Sequence, residues 1–310
     1  MKIPSIPAKI LVALAFTDDP FEPDFRMVKG DELVLEQAAW FAEKVGASLT
    51  LFHALEGDDF SLPHHEQSCH ELLRDRTRPL LEARVQQLKE KGIEASYRID
   101  EGVPFQRLLS EAKLGDYHLV MTGFNRHEDN WQDFLFHGST TRQLIRYCPI
   151  PVWATSPIQE KKLDRLLVSV DFSDVSKKTV RIADELAEVT GAEKILLHCA
   201  RYPGLMSARR MPDADRAVAE YVESVRDKIN EEIDQLLGNR RSEWKVLVKD
   251  SDVIVTVEEI ANNHDVDLVI MGTVARTGLA GFLVGNTAEK ILGELSANVW
   301  AIKPDGWKLQ

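Results

Sequence analysis

The sequence predicts an α/β fold made of two tandem doubly wound parallel sheets, each with five strands and with helices on both faces. Three observations lead to this fold class. A chain of 310 residues has the length of about two domains. Short apolar runs rich in β-branched residues alternate with segments whose apolar residues recur at helical spacing. The pattern of the first half then recurs in the second, so we predict domains over residues 1–157 and 163–310.

In the first half, apolar strands alternate with amphipathic helices. Gly46 and Gly92 mark the ends of two of these helices. The predicted strands are Lys9–Asp18, Ser48–Leu55, Glu94–Ile99, Tyr117–Gly123 and Pro151–Thr155. The predicted helices are Leu33–Val45, Cys69–Lys91, Pro104–Ala112 and Thr141–Tyr147. One helix between successive strands favours a parallel sheet, because parallel neighbours need a crossover connection.

The second half repeats this order with similar residues at the strand ends. The matched segments are Leu166–Asp174 with Ile10–Asp18, Ile195–Cys199 with Leu49–Ala54 at their histidines, Asp267–Gly272 with His118–Gly123, and Asn298–Ala301 with Pro151–Ala154. Between them, Asp215–Leu237 has an apolar helical face, which packing on its own sheet explains without a membrane or a partner. The repeat indicates duplication of one ancestral domain.

Composition and charge argue against several classes of partner. The formal net charge is −12, from 38 Lys and Arg against 50 Asp and Glu. Surplus negative charge opposes non-specific attraction to nucleic acid and to anionic membranes. Three widely spaced cysteines without a C-x-x-C motif favour a reducing compartment over a disulfide framework or a zinc ribbon. No apolar run approaches the length of a membrane span. We therefore expect a cytoplasmic protein that binds neither nucleic acid nor membrane.

The stretch Asp267–Thr287 has the pattern of an anion site, with a buried strand, a loop punctuated by glycine and the start of a helix. Its glycines are Gly272, Gly278, Gly281 and Gly285. Asn286 and Thr287 are good caps for a predicted helix over Ala288–Leu295, whose first N–H groups would point at an anion. In a doubly wound sheet this loop follows the carboxyl end of a strand, where ligands bind. A flexible loop without a ligand is the alternative.

The strand ends and the final loop also carry a resemblance to a known family. The motifs are Val170-Asp171-Phe172-Ser173, His198-Cys199, Ile270-Met271-Gly272-Thr273, Gly285-Asn286-Thr287 and Val299-Trp300. With them the chain resembles the tandem form of the universal stress protein family over nearly its whole length. The resemblance implies the adenine-nucleotide alpha-hydrolase-like fold. In nucleotide-binding members it also implies a Gly-x2-Gly-x9-Gly-(Ser/Thr) motif, preceded by an aspartate at the end of the first strand.

In this sequence the family motif is modified. Ala275 stands at the second glycine, and Asn286 stands at the serine position with Thr287 one place later. Asn286 can still cap and donate, and Arg276 offers a cation to an anion. The resemblance therefore implies a modified pocket in the second domain for ATP or a related adenine nucleotide. Its expected residues are Asp171, Cys199, Met271, Gly272, Ala275, Arg276, Gly278, Gly285, Asn286 and Thr287.

The first domain departs further from the motif. Ala15 stands where the second domain has Asp171, and the loop Phe124–His137 contains no glycine. Carboxylates in that loop would repel a triphosphate, although Gly138-Ser139-Thr140 is retained. We therefore predict a degenerate site here and assign any nucleotide to the second domain.

Several other residues invite a functional interpretation beside a structural one. His65 and Cys69, four apart, could hold a metal, but incidental residues of a solvated insertion are favoured. His53 and His198 are equivalent, and bonding to neighbouring backbone is favoured over acid–base work. For Asp171, ligand contact and a structural helix cap stay open.

Two more positions complete the set of candidates. Cys199 is expected to line the pocket rather than to act as a nucleophile. Trp153 and Trp300 occupy the same place in the two final strands, in apolar surroundings typical of a core or of a contact between domains.

Three functions are compatible with these residues. The first is a non-enzymatic stress-response regulator that binds a small-molecule nucleotide. The second is a scaffold or carrier that takes an apolar or nucleotide-sugar-like ligand or acts by contact with another protein. The third is a weak ATPase, which is disfavoured because the sequence shows no Walker lysine, paired carboxylates or nucleophile–base pair. No catalytic or metal-binding residue is predicted. The family resemblance further implies that the final strands of the two domains pair within the chain, and further homo-oligomers stay open.

Overall fold

A computed structural model describes residues 6–17, 23–56, 68–123, 140–157, 162–273, 291–292, 295–304 and 306. Its strands are β1 (Lys9–Ala13), β2 (Ser48–Leu55), β3 (Ala95–Glu101), β4 (Leu119–Gly123), β5 (Val152–Thr155), β6 (Arg165–Ser169), β7 (Glu193–Cys199), β8 (Trp244–Lys249), β9 (Leu268–Gly272) and β10 (Asn298–Ile302). Its α-helices are α1 (Lys29–Val45), α2 (Cys69–Glu90), α3 (Pro104–Leu114), α4 (Thr140–Tyr147), α5 (Asp174–Thr190), α6 (Leu205–Ala208), α7 (Ala214–Leu237) and α8 (Val253–Asn263).

The strands form one continuous sheet in the order β3-β2-β1-β4-β5-β10-β9-β6-β7-β8. Within each half the strands are parallel and follow the same order, so the predicted fold class is confirmed. Buried side chains pack against both faces, with α1, α2, α5 and α7 on one face and α3, α4 and α8 on the other. In each half the chain reverses its winding direction beside the first strand, which creates the switch point where doubly wound sheets bind ligands.

The two halves join through their final strands. β10 pairs with β5 in antiparallel fashion, and Trp300 lies opposite Trp153. The indole rings are 5.4 Å apart, and Phe41 of α1 lies 5.0 Å from the Trp153 ring. Both tryptophans are at most 1 % exposed. They therefore belong to the core and to the contact between halves, which were the two roles that their sequence position predicted.

Helices α1 and α5 show how closely the two halves correspond. Both contain 17 residues, and both end at a left-handed glycine, Gly46 with φ 69° and Gly191 with φ 77°. Glycine takes this conformation without the steric cost that a side chain imposes. Aligning the two glycines places Asp31 of α1 opposite Ser176 of α5.

The first half differs from the sequence prediction between β1 and α1. The strand ends at Ala13 rather than at Asp18, and the helix begins at Lys29 rather than at Leu33. The reason is a local antiparallel excursion, in which Phe16 bridges to Met27 and the Thr17 N–H donates to the Arg26 carbonyl. These backbone bonds replace pairing with the main sheet. The start of the predicted helix Ala288–Leu295 lies outside the described residues, although Ile291 and Leu292 are helical.

Candidate functional site at the carboxyl edge of the second half

Four of the predicted ligand residues meet at one edge of the sheet. Strands β9, β6 and β7 are neighbours, and Met271 pairs with Ser169 near their carboxyl ends. Asp171 follows β6, Cys199 ends β7, and Gly272 ends β9. The remaining predicted residues lie outside the described part of the chain: Ala275, Arg276, Gly278, Gly285, Asn286 and Thr287. The described residues thus form the floor of the predicted site, and its loop stays a prediction.

Asp171 is held in place by hydrogen bonds to the start of α5. Its Oδ1 accepts the Ser173 N–H at 3.1 Å and the Ser176 hydroxyl at 2.9 Å. The Asp171 N–H in turn donates to Ser176 Oγ at 3.0 Å. These bonds fix the carboxylate at the edge of the sheet. They are not the helix cap that the sequence allowed for this aspartate, because the N-cap residue of α5 is Ser173 and none of the described side chains caps the first turn. Ser176 is 3 % exposed and was not singled out from sequence.

The residue after Asp171 has an unusual backbone conformation. Phe172 has φ of 62°, in the left-handed region that is a genuine outlier for a bulky side chain. Its ring lies 4.3 Å from the imidazole of His198. Backbone strain of this kind costs about 1–3 kcal/mol and clusters at binding and active sites. The turn after β6 is thus both strained and anchored.

The equivalent histidines perform the same structural task in both halves. His198 Nδ1 lies 3.0 Å from the Val170 carbonyl oxygen, and His53 Nδ1 lies 3.0 Å from that of Leu14. A phenylalanine ring lies beside each histidine, Phe16 at 5.0 Å from the His53 ring and Phe172 at 4.3 Å from the His198 ring. The prediction that both histidines bond neighbouring backbone is confirmed.

Cys199 and Met271 give the site an apolar floor. Met271 is 4 % exposed, and Cys199 is half-buried. Burial raises the pKa of the Cys199 thiol, while a hydrogen bond with Thr256 opposes that change. A thiol that stays protonated near neutral pH is a poor nucleophile. This environment favours the predicted lining role.

The first half has its carboxylate on the helix rather than on the strand. Ala15 occupies the position of Asp171, and its N–H donates to Asp31 Oδ2 at 2.7 Å. Burial raises the pKa of Asp31 to about 6, and the bond from Ala15 opposes this change. Asp31 is not among the residues that the sequence predicted for a site. Aligning the glycines that end α1 and α5 would have found it, because that alignment pairs Asp31 with Ser176.

The end of β4 in the first half is closely covered by α1. A Cβ atom on Gly123 would lie 2.9 Å from Val34 Cγ2 and 3.2 Å from Asp31 Oδ1. Thr141 of α4 donates its hydroxyl to the Gly123 carbonyl. Glycine is therefore required here by close packing. The loop Phe124–His137 lies outside the described residues.

Two further features of the described residues bear on other functions. No group of three His, Cys, Asp or Glu side chains in that part of the chain could hold a metal ion, and His65 lies outside it. Of the helices that the structure describes, none is both long and apolar enough to cross a membrane.

Comparison with known proteins gives a consistent result across the whole chain. The sequence model of the universal stress protein family matches twice, at residues 29–156 and 162–303. Universal stress protein E of Escherichia coli K12 is 25% identical over 307 residues, which cover 90% of this chain and 92% of the relative. Its homolog in Haemophilus influenzae is 26% identical over 299 residues, covering 91% and 94%.

Solved structures are similar over the same length. A universal stress protein from Archaeoglobus fulgidus aligns with a TM-score of 0.67 at 16% identity, covering 95% of this chain and 96% of that one. A protein of unknown function from Pseudomonas aeruginosa PAO1 aligns with a TM-score of 0.62 at 20% identity, covering 97% and 94%. At these identities the structural likeness concerns the fold.

Proposed function

Because the chain belongs to the universal stress protein family, we propose that it is a non-enzymatic stress-response regulator whose second half binds an adenine nucleotide. The proposed site is the carboxyl edge of β6, β7 and β9. The observation that carries the proposal is the anchored Asp171, fixed by Ser173 and Ser176 beside the strained Phe172. A fixed carboxylate is a ready acceptor for the N–H or O–H groups of a nucleoside.

The other proposed site residues are chemically suited to the base and the phosphates of a nucleotide. Met271 and Cys199 offer apolar and polarizable surface suited to a base. Gly272 leaves room where the chain departs from β9. In the proposal, Arg276 and the cap formed by Asn286 and Thr287 hold the phosphates, because a cation and a helix N-terminus both attract anions. Ala275 replaces a glycine of the family motif, and we expect its extra methyl group to weaken phosphate binding without abolishing it.

Binding rather than turnover is favoured by the described side chains at this edge. The raised pKa of Cys199 keeps its thiol protonated. His198 is engaged with the Val170 carbonyl through Nδ1, and the Asp171 Oδ1 is engaged with α5. A nucleotide held here would change the protein's surface and its contacts rather than be consumed.

A thermal-shift screen tests the proposal against its alternatives. Purified full-length protein is heated with ATP, ADP, AMP, a nucleotide sugar or a medium-chain fatty acid, each with magnesium. We expect an increase in Tm with adenine nucleotides, since a ligand that binds only the folded state stabilises it. Stabilisation by the fatty acid or nucleotide sugar alone would favour a carrier, and magnesium-dependent phosphate release abolished by Asp171→Ala would show an ATPase.

A further inference from the structure

Residues 200–213, which connect β7 to α7, present basic and apolar side chains to solvent. Met206 and Met211 are 59 % and 55 % exposed. Arg209 and Arg210 are also exposed, and neither pairs with a carboxylate in the described part of the chain. The segment carries three arginines and one aspartate, in a chain whose net charge is −12. Methionine and arginine are both enriched at protein interfaces, so this surface has the composition of a contact site.

Hydrogen bonds fix this segment to the outer edge of the second half. The Tyr202 hydroxyl donates to Asp250 at 2.7 Å, and Asp250 follows β8, the edge strand of the sheet. The Gly204 N–H donates to the Tyr221 hydroxyl of α7 at 2.8 Å. The backbone that carries the exposed methionines and arginines is therefore held in place before any partner binds.

Helix α7 adds apolar surface beside this segment, because α6 packs against it. The buried residues of α7 lie in its second half: Ile229, Ile233 and Leu237. In its first half the apolar side chains are only partly covered, among them Val218 and Val222. A partner on this side would remove further apolar area from water, which favours association.

The equivalent segment of the first half has the opposite charge. Residues 56–68 connect β2 to α2, as residues 200–213 connect β7 to α7. Their sequence contains no lysine or arginine, includes the apolar residues Phe60 and Leu62, and has four acidic residues, Glu56, Asp58, Asp59 and Glu66. Residues 57–67 lie outside the described part of the chain. In charge and in apolar content the two segments complement each other.

Within one chain these two segments lie too far apart to meet. β2 is second and β7 ninth in the ten-stranded sheet, so seven strand spacings, or roughly 34 Å, separate them. Because β10 runs antiparallel to β5, the carboxyl ends of the two halves also lie at opposite edges of the sheet. Residues 56–68 are tied to β2 and α2 at their two ends, and a loop of that length extends by at most about 25 Å. An acidic segment that covers the basic surface must therefore come from a second copy of the chain.

We infer that the surface formed by residues 200–213 and the first half of α7 binds residues 56–68 of a second copy of this chain. Arginine pairs with carboxylates through parallel N–H bonds, and methionine adapts its shape to apolar side chains such as Phe60 and Leu62. Two copies that exchange both contacts form a closed two-fold dimer. This contact is separate from the β5–β10 pairing, which lies inside one chain.

Exchange of charge between the two segments tests this contact by sedimentation equilibrium of the full chain at about pH 8, where histidine is neutral. One variant carries Arg209→Glu with Arg210→Glu, and the other carries Asp58→Lys with Asp59→Lys. We expect the wild type to dimerise and each variant alone to associate at least about tenfold more weakly. An equimolar mixture should recover association, because the glutamates of one variant meet the lysines of the other and the original contact is also present.

A matched control and a peptide complete the test. Lys89→Glu with Lys91→Glu changes the net charge as much as the arginine variant does, at exposed positions of the first half, and should dimerise like the wild type. Circular dichroism verifies that all variants fold. A labelled peptide with the sequence of residues 56–68 should bind the wild type, and Arg209→Glu with Arg210→Glu should abolish this binding.

Two results would overturn the inference. One is a wild type that stays monomeric, even where the peptide binds, because the partner would then be a different acidic protein. The other is a mixture of the two charge variants that does not recover association.

Discussion

Asp31 Oδ2 accepts the N–H of Ala15 at 2.7 Å, and the equivalent hydrogen bond in the second half runs from the Asp171 N–H to Ser176 Oγ at 3.0 Å. In both halves, a side chain of the following helix accepts a hydrogen bond from a backbone N–H just after the first strand. In the second half the carboxylate is that of Asp171, just after the strand. In the first half it is that of Asp31, in the first turn of the helix. The first half therefore retains a carboxylate near the position where its sequence shows alanine.

This arrangement predicts that residues 15 and 31 are energetically coupled. Ala15→Asp alone would place two carboxylates at one hydrogen bond, which is unfavourable. Adding Asp31→Ser restores the pair found in the second half. We expect the double variant to be more stable than the sum of the single effects by about 1 kcal/mol or more, as residues in contact commonly are. Urea unfolding of the wild type, the two single variants and the double variant measures the coupling energy. Strictly additive changes in the free energy of unfolding would show that the two positions do not interact.

The raised pKa of Asp31 predicts a pH dependence of stability. Its folded-state pKa of about 6 exceeds the ordinary value of 3.8, so the folded state binds this proton more tightly than the unfolded state. Stability is therefore lost as pH rises from about 4 through 6, by at most about 3 kcal/mol. Asp31→Asn should reduce this loss in unfolding measured between pH 4 and pH 8. Asp174→Asn, at an exposed carboxyl, is the control and should preserve the wild-type profile.

A buried ionic cluster supports the second half and predicts a large loss on mutation. Asp184 accepts from Lys194 Nζ at 2.7 Å and from Trp244 Nε1 at 3.1 Å, and it also pairs with Arg240. Asp184→Ala leaves the Trp244 N–H without its acceptor, whereas Lys194 keeps its bond to Glu243 at 2.9 Å. We therefore expect the free energy of unfolding to fall by about 2–3 kcal/mol. The exposed pair Asp174–Lys177 provides the comparison, and Asp174→Ala should cost less than about 1 kcal/mol. Similar values for the two variants would contradict a stabilising role of the cluster.

The tryptophan pair predicts how the two halves cooperate. Trp300→Ala removes a ring that contacts both Trp153 and Phe41 across the β5–β10 junction. We expect a loss of about 3–5 kcal/mol, typical of a deleted buried aromatic side chain. Because we expect the junction to couple the halves, calorimetry should show one unfolding transition in the wild type and two in Trp300→Ala. A single transition in Trp300→Ala would contradict this role of the junction. Trp40→Ala, at a partly buried position on α1, should lower stability while preserving the shape of the wild-type transition.

The repeat and the fold could be predicted from sequence because their signals are local. Ser48–Leu55 was predicted to the residue, since this run of mainly apolar residues lies between Gly46 and Gly57. The excursion after Ala13 could not be predicted, because it depends on the bridge between Phe16 and Met27. Asp31 could not be predicted for a similar reason, because its role is to accept the Ala15 N–H, a contact that no local sequence pattern reveals.

In the candidate site, too, the residues with a local sequence signal could be predicted and those that depend on tertiary contacts could not. The positions of Asp171 and Gly272 were predicted from strand ends, whose place at the sheet edge is fixed by topology. The role of Ser176 required the turn geometry after β6.

Isothermal titration with ATP and magnesium measures directly whether the second half binds a nucleotide. We expect one ATP site per chain, a loss of affinity of at least about tenfold in Asp171→Asn, and unchanged affinity in Asp31→Asn. Absence of binding at millimolar ATP, or equal affinity in the wild type and Asp171→Asn, would contradict nucleotide binding by the second half.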